Sequence, residues 1–340
     1  MLAPPAAGLP ATALIEVLER CWGITVASMS YRAVGWGSHH WEVADDRGSR
    51  WFVSADELEN KRLSESEPLA AAFARLRAAL ATARALRDCG YTFVVAPVPA
   101  ASGELACRGE PVIRVNDRFG VAVYPFAEGQ SFLWGEFSSP AHRLGVLGLL
   151  VRMHTAPAAA SRHALADDFA VPLRDELEAA RAGARTRDCG PYAQLASRLL
   201  IQHAGTLRRL LTRYDELVAG ARTQPGRAVL THGEPHPGNT MLTTEGLVLI
   251  DWDTVLVAPP ERDLWSLDPG DGTVLDAYAD ATGSVPMPAL LELYRLRWDI
   301  ADVAVDVSRF RRPHVGNADD DKSWELLSSL VERLTSRCAT

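Results

Sequence analysis

Leu230-Thr231-His232-Gly233-Glu234-Pro235-His236-Pro237-Gly238-Asn239, followed by Leu249-Ile250-Asp251-Trp252-Asp253, carries the decisive chemistry of this chain. Phosphoryl transfer from a triphosphate asks a protein for few groups: a carboxylate beside the acceptor hydroxyl, oxygen ligands for Mg²⁺, and donors around the phosphates. Glu234, Asn239 and Asp251 supply the first two kinds in chain order. A loop placing Glu234 and Asn239 five residues apart, then a hairpin returning Asp251, brings three oxygen-bearing side chains to one point. Magnesium takes such hard donors. The plain alternative is a Gly- and Pro-rich turn between strands with Glu234 in water. The match of residues 250–253 at the right distance argues against it, because independent coincidences multiply.

Outward from this stretch, 340 residues are too many for one ordinary core and fit two lobes. Apolar residues are 47% and charged residues 23% of the chain, which excludes disordered and fibrous classes. The longest apolar run, residues 144–151, is too short to span a bilayer, and no basic, apolar leader starts the chain, so the expectation is a cytoplasmic protein with no membrane partner. A net charge of −8 argues against nucleic acid and suits a cationic ligand. Cys21, Cys89, Cys107, Cys189 and Cys338 show no CxxC spacing and read as incidental thiols. Only two of the basic residues, Lys61 and Lys322, are lysines.

Periodicity predicts a leading helix over 9–22 and strands at 25–30, 38–44 and 50–53. A long helix follows at 68–87, then strands at 91–97, 111–115 and 120–125. Beyond residue 127 the pattern turns to helices at 141–155, 172–184, 191–214 and 287–311, with short strands at 228–230, 240–242 and 247–250. Residues 156–166 and 313–321 read as mobile linkers.

The loop and strand end resemble the aminoglycoside phosphotransferase and choline kinase superfamily, whose signature is His-x-Asp-x-x-x-x-Asn followed by Ile-Asp-Trp-Asp. Tyr124-Pro125-Phe126 resembles its interlobe hinge, residues 149–154 its following helix end, and residues 258–264 the segment after the metal aspartate. That last run, with residues 294–305, is most similar to the spectinomycin phosphotransferase branch. The resemblance implies an α+β, bilobal protein-kinase-like fold, with a small antiparallel-sheet lobe over 1–126 and a larger, mainly helical lobe over 127–340. It implies a kinase moving the γ-phosphoryl of ATP or GTP to an alcohol of an antibiotic-like, cationic small molecule. Glu234 would be the acceptor-side base, His232 the prop of the loop, and Asn239 and Asp251 the Mg²⁺ ligands. The nucleotide would lie against Gly35, Gly37, Ser38, His39, Val53, Tyr124 and Phe126. The acceptor would meet Asp253, Glu261, Trp265, Asp299 and Asp302, with Asp306 on the same helical face and residues 132–134 as a stacking floor.

Two departures stand out. Glu234 replaces the family's Asp, one methylene longer and only about 0.4 higher in intrinsic pKa. Ser54 stands where the family's third strand carries a phosphate-gripping lysine, and residues 68–87 hold no acidic partner. His39, Arg50, Lys61, Arg62 and Arg75 are the substitute cations on offer. The loss leaves a second class open, a kinase-shaped binding protein without turnover, and a third in which the acceptor is a primary metabolite. The acceptor, the choice of ATP or GTP, and the oligomeric state are not fixed by these residues.

Overall fold

The computed structural model describes residues 1, 4–5, 8–35, 37–101, 107–183, 189–224 and 226–337. Trp36, between the expected nucleotide-contacting Gly35 and Gly37, residue 184 at the end of an expected helix, and Cys338 lie outside the described residues.

The N-terminal part is an antiparallel sheet with one helix on each face. β1 (Val26–Arg32), β2 (Ser38–Asp45), β3 (Arg50–Glu57), β4 (Ile113–Val115) and β5 (Phe119–Pro125) lie in the order β1-β2-β3-β5-β4. Side chains alternate across the pleat, so each strand feeds two faces. Trp41, Val43, Val53, Ala55, Val121 and Val123 are buried behind the sheet, packed with Leu14, Leu18 and Trp22. Those three come from α1 (Ala11–Val17) and the wider, π-helical turn Leu18–Trp22 that prolongs it, ended by Gly23 at φ 68°. On the front face the register aligns His40 with Ser54 and Ser54 with Ala122, and Phe52 with Tyr124.

α2 (Leu69–Asp88) packs across one end of that front face. Gly120 permits the approach, since a Cβ there would stand 2.7 Å from the Leu76 side chain. Residues 91–97, expected as a strand, form instead a turn and a single parallel bridge, Val94 to Leu249. The Leu249 N–H donates to Phe93 O at 2.8 Å and Val95 N–H to Leu249 O at 3.1 Å. Too few apolar alternations remain in this Pro-punctuated run to sustain a ladder.

Beyond residue 127 lie β6 (Gln130–Ser131), α3 (Pro140–His154), β7 (Leu165–Ala166), α4 (Arg174–Arg181), α5 (Ala193–Gln202), α6 (Ala204–Ala221), β8 (Val229–Thr231), β9 (Thr240–Thr243), β10 (Gly246–Leu249) and β11 (Leu256–Ala258). α7 (Glu261–Leu267), α8 (Thr273–Thr282), α9 (Pro288–Arg311) and α10 (Ala318–Arg337) complete the chain. Two small sheets, β10-β9-β6 and β7-β11-β8, hold the loop quoted at the outset. One core joins Leu80, Leu86 and Phe93 to Leu150, Met153, Leu249 and Trp252, so α2 is bonded to the helical half. A second core unites α4, α5, α6, α9 and α10.

Three expectations are corrected. The helix expected over 191–214 is broken at His203 into α5 and α6. The supposed linker 313–321 leads directly into α10, with Asn317 Oδ1 accepting from Asp320 N–H at 3.0 Å as an N-terminal cap. Residues 156–166 hold a tight turn and β7. Among the described residues no helix is long and apolar enough to cross a membrane.

Candidate active site

Thr231, the last residue of β8, hands the chain to a loop whose backbone is fixed from beneath. The Asp263 carboxylate, at the start of α7, accepts from His232 N–H (2.9 Å) and Gly233 N–H (2.6 Å) and meets His154 Nε2 at 3.0 Å. His154 Nδ1 meets the Tyr278 hydroxyl at 3.0 Å. Burial opposes ionisation of Asp263, yet the His154 hydrogen bond and the nearby Arg262 charge hold its carboxyl below the usual range. Arg262 donates to Thr231 Oγ1 (2.9 Å) and Thr254 O (2.7 Å), while Thr254 Oγ1 donates to His232 O (2.8 Å). Gly233 is required twice over: its φ is +99°, and a Cβ would stand 2.4 Å from the Arg262 guanidinium. Arg262 and Asp263 thus form a two-armed clamp on the loop, each side chain with its own partners.

His232 is fully buried and crosses the loop. Its Nε2 donates to Ile250 O at 3.0 Å, which leaves Nδ1 to accept from Glu234 N–H at 3.3 Å. Burial, the leading influence, lowers its pKa and favours this neutral ring. Asn239 Nδ2 donates to Glu234 O at 3.0 Å, and Asn239 O accepts from Ile250 N–H at 3.0 Å. These bonds tie residues 234, 239 and 250 into one knot beside Asp251, whose backbone sits at φ +64°.

Four carboxylates converge here: Asp56 from β3, Glu234 from the loop, and Asp251 and Asp253 beyond β10. Burial and the Asp253 charge push Glu234 up to about 7, with Lys61 working the other way. Asp251 is pushed well above the usual carboxylate range by its confinement, then by Asp253 and Glu234. Asp251 is nonetheless exposed as a whole residue. Asp253 is depressed despite its burial, because Lys61 lies against it. The Lys61 ammonium contacts Asp253 and lies 3.0 Å from Asp56 Oδ1. Burial works against its charge, but Asp253 and Asp56 hold its pKa well above normal.

On the nucleotide side, Gly35 and Gly37 have φ of +69° and +98°, and Ser38 Oγ donates to Asp56 Oδ1 at 2.5 Å. Tyr124 faces the carboxylates: burial first, then Asp56, Asp251 and Asp253, raise its pKa well above normal. Phe126 lies under Arg50, 3.8 Å from the guanidinium to the ring centre, and its N–H is engaged by Arg50 O at 3.2 Å. His39 and Val53 are not brought to the cleft. Both lie behind the sheet, His39 against the Tyr31 hydroxyl at 3.2 Å and Val53 in the rear core. Strand parity explains this: if Ser54 and His40 face forward, their neighbours cannot.

On the acceptor side, Asp302 senses the Glu234 charge and is pushed to about 7 by burial, then by Asp306 and Glu234, while Trp298 donates to it. Trp298 continues an aromatic wall through Trp265 (5.6 Å between ring centres) and His236 (6.3 Å), which meets Trp134 (6.4 Å). Trp134 is 70% exposed. Asp299 lies instead toward α10, 3.8 Å from Arg337, and Asp306 toward Ser323. Glu261 is corrected outright: it is 0% exposed and binds Arg227 (2.6 Å) and Met287 N–H (2.8 Å), with no access to a ligand. Asp253 belongs to the carboxylate cluster with Lys61, away from the acceptor wall.

Sequence reasoning missed Asp56, Trp298 and His236. Alternation from Ser54 would have placed Asp56 on the front face; no local pattern singles out the other two.

Residues 30–294 match the family model described as the phosphotransferase enzyme family, APH. Protein StrN of Streptomyces griseus is 33% identical over 253 residues, covering 72% of this chain and 73% of that protein. Among solved structures, spectinomycin phosphotransferase APH(9)-Ia, in complex with ADP and spectinomycin, superposes with a TM-score of 0.69 at 17% identity, covering 97% of this chain and 98% of that one. The amicoumacin kinase hAmiN, in complex with AMP-PNP, Ca²⁺ and Ami, gives 0.59 at 14% identity over 97% and 94%. Choline kinase LicA from Streptococcus pneumoniae gives 0.54 at 13% over 95% and 98%. At these identities the structures attest the kinase-like fold, an antiparallel sheet region before a helical part. With residues 30–294, more than half of its length, matching that model, the chain belongs to the APH phosphotransferase family, enzymes that transfer a phosphoryl group to a hydroxyl.

Proposed function

We propose that this enzyme moves the γ-phosphoryl group of ATP or GTP onto a hydroxyl of a cationic small molecule of the aminocyclitol or aminoglycoside kind, in resistance or self-resistance. The observation that carries the reading is Glu234, a carboxyl at about 7, set between the Asn239–Asp251 knot and a wall that combines Trp134, His236 and Trp298 with Asp302. A base poised there orients the acceptor O–H and takes its proton as the new O–P bond forms and the diphosphate leaves. Its pKa near neutrality is where such a base works best. The acidic and aromatic wall suits an amino sugar, whose ammonium groups meet carboxylate while its apolar ring faces lie on indole.

Residues 1–126 would cover the nucleotide and residues 127–340 carry the loop and acceptor pocket. Asn239 and Asp251 fit Mg²⁺: four carboxylates face a single ammonium from Lys61, an excess of negative charge that a divalent cation relieves. Among the described residues no three His, Cys, Asp or Glu side chains are grouped so as to hold a metal ion by themselves. When bound, Mg²⁺ neutralises charge on the transferring group. The protein's own share is positioning: Asp263 and Arg262 lock the loop, and His232 spaces it from Ile250.

Ser54 in place of the strand lysine favours a second reading, a binding protein without turnover. A diphosphate-release screen with both triphosphates against aminocyclitol, aminoglycoside and nucleoside antibiotics, and against small amino alcohols, separates the readings. Release with a mass gain of one phosphoryl group on the acceptor supports a kinase. A thermal shift with Mg²⁺ and nucleotide but no release supports the binding protein. Phosphorylation of the amino alcohols alone would replace the antibiotic acceptor with a metabolite.

A further inference from the structure

We infer that Lys61, which lies beyond β3 in the tight turn before α2, is the side chain that grips the triphosphate, standing in for the lysine that Ser54 displaces from the strand. This rests on the kinase reading above. A triphosphate brings several negative charges into a cleft already holding four carboxylates, so a basic side chain must reach that point. Of the five cations available on the nucleotide side, four are committed elsewhere. His39 lies behind the sheet, and Arg50 pairs with Glu42 and Glu128 at the exposed edge. Arg62 pairs with Glu59, and Arg75 with Glu67. Lys61 alone of the five touches the carboxylate cluster beside the candidate metal site, through Asp253 and Asp56.

The turn is built to aim it. Arg75, held by Glu67, donates to Lys61 O at 2.7 Å, and the second Glu67 oxygen accepts from Leu63 N–H at 2.6 Å. Leu63 O in turn accepts from Leu173 N–H at 2.8 Å, which anchors the turn to the helical half. Glu67 at the head of α2 therefore secures the backbone of the lysine, and Asp56 on the strand takes the ammonium at 3.0 Å. Ser54 is turned to Tyr124, whose hydroxyl it hydrogen-bonds. An ammonium has three donors, so Lys61 can keep Asp56 and offer phosphate oxygens the rest.

The test is nucleotide affinity by titration calorimetry, with Mg²⁺ and ATP or GTP and no acceptor, on the full chain. The variants are Lys61→Gln, Lys61→Arg, and Lys61→Gln combined with Ser54→Lys, with melting temperatures beside each. Lys61→Gln should weaken binding by about ten- to hundredfold, the loss of one charge-assisted contact, and raise the nucleotide KM with the acceptor KM unchanged. Lys61→Arg and the lysine moved to position 54 should each restore binding, a rescue that a merely structural side chain cannot give. A folded Lys61→Gln protein with wild-type affinity overturns the inference, as does a loss that neither rescue repairs. If the wild type itself binds no nucleotide, the kinase reading fails first.

Discussion

At the scale of single residues the account rests on Glu234. Its carboxyl is raised to about 7 by burial and by Asp253, so the proposed base would accept a proton from an alcohol at neutral pH and be blocked by its own proton below. Glu234→Gln should cut kcat by about 10²- to 10⁴-fold while nucleotide affinity stays, as measured by steady-state kinetics and calorimetry. Glu234→Asp should retain more activity than Gln, because the carboxylate survives one methylene short. In the wild type kcat/KM should climb with pH through about 7 and then level, an acid limb that Glu234→Gln loses. A flat profile from pH 5.5 to 8.5 would mean that this carboxyl does not take the proton. Gly233 answers to sterics instead: Gly233→Ala puts a methyl onto the Arg262 guanidinium at positive φ, and should lower both melting temperature and kcat.

At the scale of elements, α7 and α9 organise the site. Asp263→Ala would strand two loop N–H groups and His154, and should cost about 3–5 kcal/mol in denaturant unfolding, with kcat falling alongside. On α9, Asp306 is nearly buried and pushed to about 7, above the value near 4 of an unfolded chain. The folded protein therefore holds that proton more tightly, and the residue's support of the fold is full below about pH 4 and is lost as pH rises to about 7. Asp306→Asn should raise the melting temperature more at pH 8 than at pH 4; an equal change at both would contradict the assignment.

The same elements show where sequence reading succeeds. Residues 230–253 pointed to the candidate site because a loop proposed to meet phosphate and metal admits few residue types, and the strands and helices around it have clean periods. α10 was hidden because its start is Asn- and Asp-rich, which reads as a loop but acts as a cap. Val53 was assigned to the cleft against the parity of its own strand. Lys61 could be offered as one candidate among five, since only the turn between β3 and α2, closed by Glu67 and Arg75, decides where it points. Glu261 looked available from its charge, but its partners Arg227 and Met287 are distant in sequence.

For the whole molecule, a net charge of −8 and an acceptor wall carrying Asp302 and Glu234 form an attractive field for a cation. The acceptor kcat/KM should therefore fall as salt rises from about 0.05 to 0.5 M, over which the Debye length shrinks from about 14 to about 4 Å, while nucleotide affinity in the presence of Mg²⁺ changes in its own way. No salt dependence would argue for a neutral acceptor. The central claim is that Glu234, Asn239 and Asp251 assemble one phosphoryl-transfer centre. Incubation of wild type and Glu234→Gln with Mg²⁺, nucleotide and the antibiotic panel, followed by mass spectrometry of the acceptor, tests it most directly. A phosphoryl adduct from the wild type, reduced at least a hundredfold in the variant, is the predicted result; equal adduct from both proteins would contradict it.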